Sequence, residues 1–410
     1  MSVSLIPLLW GMPGAQEFLA HVAQDLRNGR SLWILFHDQA DQQGFEEALL
    51  EYLESDGVLW VRPIGLASFD GATPIEILRE ALAVDQARVL EDLIREDIPD
   101  VVVIQSFEES PLEHRQEWFN AMQRWAEACH SMGARKSLCI VTQARAVLEI
   151  RPPATDVRLG VHLWWGIPSA LETHLICRMA TQNSDALSHW REYLIPSLTA
   201  GDLTLGERLW DVVAGSMGEI LQCLVLYASE RGWSRAATNT GWSEWRPIPP
   251  GTDLRPNPQD RSLALWARGW LVYTPEYGEE IHSALLATIG NESEIQHRIW
   301  RAQAALLLPS IDSVRLTICQ YLLRHHGEGW HQRPGQPETD GYAELGELEV
   351  LLRNTPHLEW EREQWLRVVC LARQIRNNLA HYALVSFAEF AEFWQLSRRV
   401  HRMGWQNVPT

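Results

Sequence analysis

The chain has 410 residues, 46% of them hydrophobic and 21% charged, a composition that can bury several cores and excludes a disordered protein. Acidic residues outnumber basic ones by 53 to 35, and the net charge of −18 excludes a protein that coats long nucleic acid by neutralising its backbone, because the overall field repels phosphate. There is one lysine, Lys136, so chemistry that requires a lysine has a single candidate.

Two or three domains follow from the length. No stretch of about 18 residues is free of charge and breaker residues, and the N-terminus (MSVSLIPLLWGMPGAQEF) lacks the basic start of a signal peptide, so the expectation is a cytoplasmic protein with no membrane partner. Six cysteines, Cys129, Cys139, Cys177, Cys223, Cys319 and Cys370, lie far apart without a C-x-x-C. That spacing argues against a zinc ribbon and a disulfide framework and suits small buried hydrophobes.

From 1 to 165 short apolar runs alternate with helix formers. Ser31 to Phe36, Val58 to Pro63, Val101 to Ile104, Leu138 to Val141 and Val157 to Leu163 read as strands buried on both faces, and Gly44 to Glu54 and Arg115 to His130 read as helices between them. The alternation predicts an α/β domain with a mostly parallel sheet. Its order of elements, a buried strand, a loop and a helix, is that of a P-loop fold. The phosphate chemistry is missing. After Phe36 the chain reads HDQADQQGF, with Asp38 and Asp41 where phosphate would sit, the VVVI strand ends in Gln105 where an aspartate would hold magnesium, and Lys136 precedes a strand. The segment resembles the ATPase domain of AAA+ or STAND proteins in element order and hydrophobic pattern only. A degenerate P-loop-like domain and another α/β fold without a nucleotide site both fit, and neither predicts ATP hydrolysis.

Residues 166–290 form the middle segment. Helix spacing of Ile220, Leu221, Leu224 and Tyr227 gives way at 231–260 to a loop rich in glycine, proline and tryptophan, followed by a helix and a strand or two, as in a small winged-helix-like unit. Trp233, Trp242 and Trp245 in that loop suit a surface for a protein partner.

Residues 291–410 read as an all-helical bundle, with stripes Val314, Ile318, Cys319, Leu322 and Val368, Leu371, Ala372, Ile375, Leu379, Tyr382 and a polar insert from His325 to Asp340. Within it stands CLARQIRNNLAHY, Cys370 to Tyr382. On a helix Asn377 and His381 share a face, and Arg376 lies about 140° from His381, within reach of the same cleft through its long side chain. From Ile299 to Arg399 the pattern resembles the HEPN family, whose signature is an arginine, a polar residue, a short gap and a histidine on a late helix. The resemblance implies metal-independent RNA cleavage at a homodimer interface, in a toxin or antiviral defence system, with catalytic residues Arg376, Asn377 and His381 and no cofactor or metal. In chemical terms His381 activates the ribose 2′-hydroxyl as base, Arg376 offsets charge on the phosphate and Asn377 orients the site; single-stranded RNA is then the substrate. The same helix also suits a non-enzymatic scaffold or adaptor, with Asn377 bonded across to a neighbouring helix and Arg376 paired with Asp312 or with a glutamate between Glu344 and Glu349.

Two other groupings carry little. His325, His326 and His331 match no ligand spacing for zinc, and Ser169, His174 and Asp185 lack a nucleophile elbow.

Overall fold

Runs that are apolar on both sides of the backbone become strands of a parallel sheet, because helices can cover both of its faces. The computed structural model describes the chain apart from residues 1–3, 38–41, 55–59, 70, 149, 152, 154, 182–183, 236–246, 252–260, 328–329, 331–341, 355–361 and 407–410. In chain order the elements are α1 (Ile6–Leu9), α2 (Pro13–Arg27), β1 (Ser31–Phe36), α3 (Phe45–Glu54), β2 (Val61–Gly65), α4 (Pro74–Ala81), α5 (Leu90–Arg95), β3 (Val101–Gln105), α6 (Leu112–Met132), β4 (Ser137–Gln143), α7 (Ala144–Leu148) and β5 (Leu159–Leu163). There follow α8 (Ala170–Ala180), α9 (Ala186–Thr199), α10 (Leu203–Leu209), α11 (Met217–Glu230), α12 (Arg261–Trp266), the hairpin β6 (Leu271–Thr274) and β7 (Gly278–Ile281), α13 (Ser283–Ile289), α14 (Glu292–His326), α15 (Leu345–Asn354), α16 (Arg362–Ala380) and α17 (Phe387–Gln406).

Two units result, each assembled from separated pieces of sequence. One holds residues 1–176, 199–207 and 234–285; the other holds 177–198, 208–233 and 286–410. Residues 166–290, which read in sequence as one middle segment, are therefore divided between them.

In the first unit five parallel strands pair in the order β2-β3-β4-β1-β5. β1 is buried along its whole length. On one face Trp33 stacks on Phe119 (4.8 Å between rings) and meets Phe107 edge-on (5.4 Å); on the other, Phe36, Phe18, Phe45 and Trp164 pack within 5.1 to 6.4 Å of one another. β2 begins at Val61 and ends at Gly65, later than the run from Val58 suggests, and Pro63 is accommodated because β2 is an edge strand. The segment after the tryptophan-rich loop forms the expected helix and an antiparallel hairpin. Beyond that hairpin His282 is buried beside Asp202 (1% and 3% exposed, 3.1 Å). The Ala284 amide donates to His282 Nδ1 (3.2 Å), which leaves Nε2 to donate to Asp202, and Asp202 also accepts from the Leu205 amide (2.9 Å).

The second unit is helical. α14 carries Pro309 and packs against α16 and α17, and α15 packs against α16. Among the described residues it is the one helix long and apolar enough to cross a membrane; here Ile295, Ile299, Leu307, Val314, Ile318 and Leu322 on its apolar side are buried in the bundle. All six cysteines are free, four of them buried and two half-buried.

Trp233 corrects the expectation of an exposed aromatic anchor. It is buried at the end of α11, where its amide donates to the Ala228 carbonyl (2.9 Å) and Gly232 takes a left-handed conformation (φ 69°). That is a helix C-cap with the following apolar residue folded back onto the helix. Trp242 and Trp245 lie outside the described residues.

His282→Ala should remove the hydrogen bond that Nε2 gives the buried Asp202 carboxylate and lower the unfolding free energy by about 1.5–3 kcal/mol. Asp202→Asn, which keeps an acceptor, should cost less; urea denaturation of both variants checks the order.

Candidate active site

The buried side of α16 is Val368, Ala372, Ile375 and Leu379, the i, i+4, i+7 repeat that the sequence shows. The opposite side therefore faces solvent, and Arg376, Asn377 and His381 are all exposed. Arg376 is 53% exposed and its guanidinium stands 4.0 Å from Glu344, which is 69% exposed. A pair this long and this wet contributes little. The other carboxylates proposed for it are engaged elsewhere: Asp312 with Arg315 (2.8 Å), Glu349 with Arg353 and Arg373 (2.5 and 2.7 Å).

How α16 ends decides where His381 stands. The Ala383 amide donates to the Asn378 carbonyl (2.9 Å) and the Tyr382 amide to the Leu379 carbonyl (3.1 Å). This is a Schellman motif with His381 at the C-cap and Tyr382 in the left-handed position (φ 58°). α2, α6, α11 and α13 close in the same way, each with a glycine there: Gly29, Gly133, Gly232 and Gly290. A tyrosine in that conformation is strained, and the compensation is visible. Its ring lies on Trp300 (4.5 Å) and near His297 (6.5 Å), both from α14, and the Trp300 indole donates to the Leu379 carbonyl (2.8 Å). The motif thus stands beside an aromatic group of Tyr382, Trp300 and the exposed His297. Sequence reading assigned Tyr382 to the packing stripe and missed the other two; His297 and Trp300 sit at i, i+3 on α14, which makes them neighbours but does not say what they face.

The carboxyl end of the sheet in the first unit is the other place to examine. β1 lies between β4 and β5; the chain leaves β1 toward β2 on one side and leaves β4 toward β5 on the other, and the crevice beside such a reversal is where α/β folds take ligands. Here it holds carboxylates. Glu46, in the first turn of α3, accepts a hydrogen bond from the Gln105 side-chain amide at the end of β3, and Glu108 accepts one from the Thr142 hydroxyl at the end of β4 (2.8 Å). Burial, with Glu47 and Glu108 adding negative charge, pushes the Glu46 carboxyl from 4.5 up to about 7 against the opposing Gln105 bond. The Lys136 ammonium donates a hydrogen bond to the Glu96 carbonyl (2.5 Å), just before β4 begins and so at the opposite, amino end of the sheet. Asp38 and Asp41 lie outside the described residues. No cluster of metal-ligating side chains occurs among the described residues.

No family model matches the chain, and no curated protein matches it in sequence. The functional reading rests on the chain's own residues.

A glutamate whose folded carboxyl holds its proton to about pH 7 and whose unfolded carboxyl releases it near 4.5 stabilises the fold at low pH, and loses that contribution as pH rises from about 4.5 to 7. Glu46→Gln should flatten this fall. Melting temperatures across the window, wild type against variant, measure it.

Proposed function

We propose that the chain is a HEPN-type, metal-independent ribonuclease acting on single-stranded RNA, attached to an α/β unit that does not hydrolyse nucleotide. The observation that carries the reading is that Arg376, Asn377 and His381 stand in solvent at the end of one helix, with the arginine held only by a long, exposed pair to Glu344 (4.0 Å) and the histidine seated at the C-cap. Arg373, on the same helix, is bonded to Glu349 at 2.7 Å, whereas Arg376 meets its nearest carboxylate only at 4.0 Å and is left available to a substrate. In the proposed reaction His381 takes the proton of the ribose 2′-hydroxyl, the oxygen attacks the adjacent phosphorus to close a 2′,3′-cyclic phosphate, and the bond to the 5′-oxygen breaks as that oxygen takes a proton from water. Arg376 offsets the charge that develops on the phosphate oxygens, and Asn377, on the face of His381, orients the group. One helix end supplies half a cleft, and a second copy related by a twofold axis supplies the other half.

The carboxylates at the sheet's carboxyl end support the second half of the proposal. A phosphate placed beside Glu46 and Glu108 meets negative charge and no glycine-rich amide cradle. The adaptor reading keeps the same fold with a silent motif.

His381→Ala should lower cleavage of single-stranded RNA by roughly 10²- to 10⁴-fold while leaving the melting temperature in place. Arg376→Lys should fail as well, since an ammonium cannot reproduce a planar two-pronged contact. DNA of the same sequence should survive, and chelators should not slow the reaction. A His381→Ala enzyme as fast as wild type hands the case to the adaptor. Tyr382→Gly tests the aromatic neighbour: it relieves left-handed strain of about 1 kcal/mol and gives up ring contacts of similar size. Stability should therefore hardly change, and any loss of cleavage reports on substrate contact.

A further inference from the structure

The second unit contains a groove of about 450 Å³ lined by Arg398, Arg399 and Arg402, with Trp394 and Gln395 one turn earlier on α17 and Asp185 just before α9. We propose that this groove binds the phosphates of single-stranded RNA, apart from the Arg376, Asn377 and His381 cluster; the choice of RNA rests on the function proposed above.

Charge supplies the first argument. In a chain of net charge −18, arginines of the same bundle are matched to carboxylates, Arg315 to Asp312, Arg367 to Glu392 and Arg373 to Glu349. Arg398, Arg399 and Arg402 are exposed and form no ion pair among the described residues; the side-chain bond found there runs from Arg402 Nε to the Arg398 carbonyl (3.3 Å). The groove's acid, Asp185, accepts from the Ser188 amide (2.8 Å), and that bond first of all holds its carboxyl below the usual range. It caps α9 and leaves the groove positive by two charges. Complementing the helix dipole accounts for little of this, because that effect fades within the last turn, and Arg398 and Arg399 lie about two turns before Gln406.

Shape and chemistry supply the second. Guanidinium forks match phosphate oxygens two at a time. The half-buried Trp394 ring, held against His189 (4.4 Å) and Phe390 (6.0 Å), adds an aromatic surface beside them. Phosphate contacts joined to an aromatic surface suit a strand with unpaired bases; an acidic peptide would use the arginines alone. From the start of α17 at Phe387 the arginines lie about 17 to 23 Å along the helix axis. RNA held there and extended along the α16 and α17 hairpin runs toward the helix end that carries His381.

The test is fluorescence anisotropy with labelled oligouridine and full-length protein over a salt series, comparing wild type, the triple Arg398→Gln, Arg399→Gln, Arg402→Gln variant, the matching triple lysine variant and His381→Ala. Three phosphate contacts on a single strand contribute about 2 to the slope of log affinity against log salt. The triple glutamine variant should lose about that slope and bind at least tenfold more weakly. The lysine variant should keep the slope, and the same loss should appear when the three glutamines are placed in a His381→Ala background that leaves the probe uncut. Should the triple glutamine variant fail to fold by circular dichroism, Arg399→Gln alone should lose about a third of the slope.

Unchanged affinity and slope in the glutamine variant overturns the proposal. So does wild type that ignores oligouridine at low salt, whether or not an acidic or phosphorylated peptide binds in its place. The two readings fail separately. RNA bound through these arginines and left uncut removes the ribonuclease and keeps the groove; RNA cut by wild type and bound undiminished by the glutamine variant removes the groove and keeps the ribonuclease.

Discussion

A helix that ends must find partners for its last carbonyls, and the end of α16 meets that requirement with groups that also set the candidate site. The Leu379 carbonyl accepts from the Tyr382 amide and from the Trp300 indole (3.1 and 2.8 Å). The first bond turns the chain sharply after His381; the second ties that turn to α14. Glycine would make the turn without strain, as it does after α2, α6, α11 and α13. A tyrosine stands there instead, its ring laid on Trp300. The strain is offset by packing, and the packing holds an exposed aromatic next to the histidine. α4 closes in the same way on Ala83 (φ 56°), so a non-glycine residue in this position does not by itself mark a site; what distinguishes Tyr382 is the ring packed on Trp300.

Electrostatics divides labour within the chain. At the carboxyl end of the parallel sheet the topology offers a ligand crevice, but Glu46 and Glu108 occupy it. Glu46 holds its proton to about pH 7, first because burial strips its charge of water and then because Glu47 and Glu108 add negative charge. Such a place disfavours phosphate. In the helical unit the opposite holds: the exposed guanidiniums of Arg376, Arg398, Arg399 and Arg402 give a strongly acidic protein local positive ground. For the ribonuclease proposed above, a long duplex is still repelled by the whole, and a flexible single strand that meets only the local field is the substrate these charges suit.

Much of the architecture was legible in the residues. The runs at Ser31 to Phe36, Val101 to Ile104 and Leu138 to Val141 appear as β1, β3 and β4 within a residue or two at each end, because continuous apolar strands have few places to go other than a two-sided sheet. Of the stripe Val368, Leu371, Ala372, Ile375, Leu379 and Tyr382, four residues, Val368, Ala372, Ile375 and Leu379, form the buried face of α16, while Leu371 is half-buried and Tyr382, beyond the helix end, is exposed; the exposure of Arg376, Asn377 and His381 follows from the same period. Trp233 was misread, since its neighbours are glycine, proline and polar residues; the fold buries it by wrapping it back over α11 after Gly232.

Local sequence therefore determined which segments are strands and helices, which face of each is apolar, and that no lysine stands where a phosphate loop would need one. Tertiary structure decided the rest. Whether Arg376 is free or spent depends on where Glu344, Asp312 and Glu349 come to lie, and they arrive from other helices. That His297 and Trp300 meet Tyr382, or that the basic run SRRVHR lines a groove facing Asp185, depends on contacts between residues about 80 and about 210 positions apart. Periodicity reports the side of an element that is buried, through the short-range geometry of the backbone. It carries no record of which distant side chain fills the space opposite, since that is set by how whole helices pack.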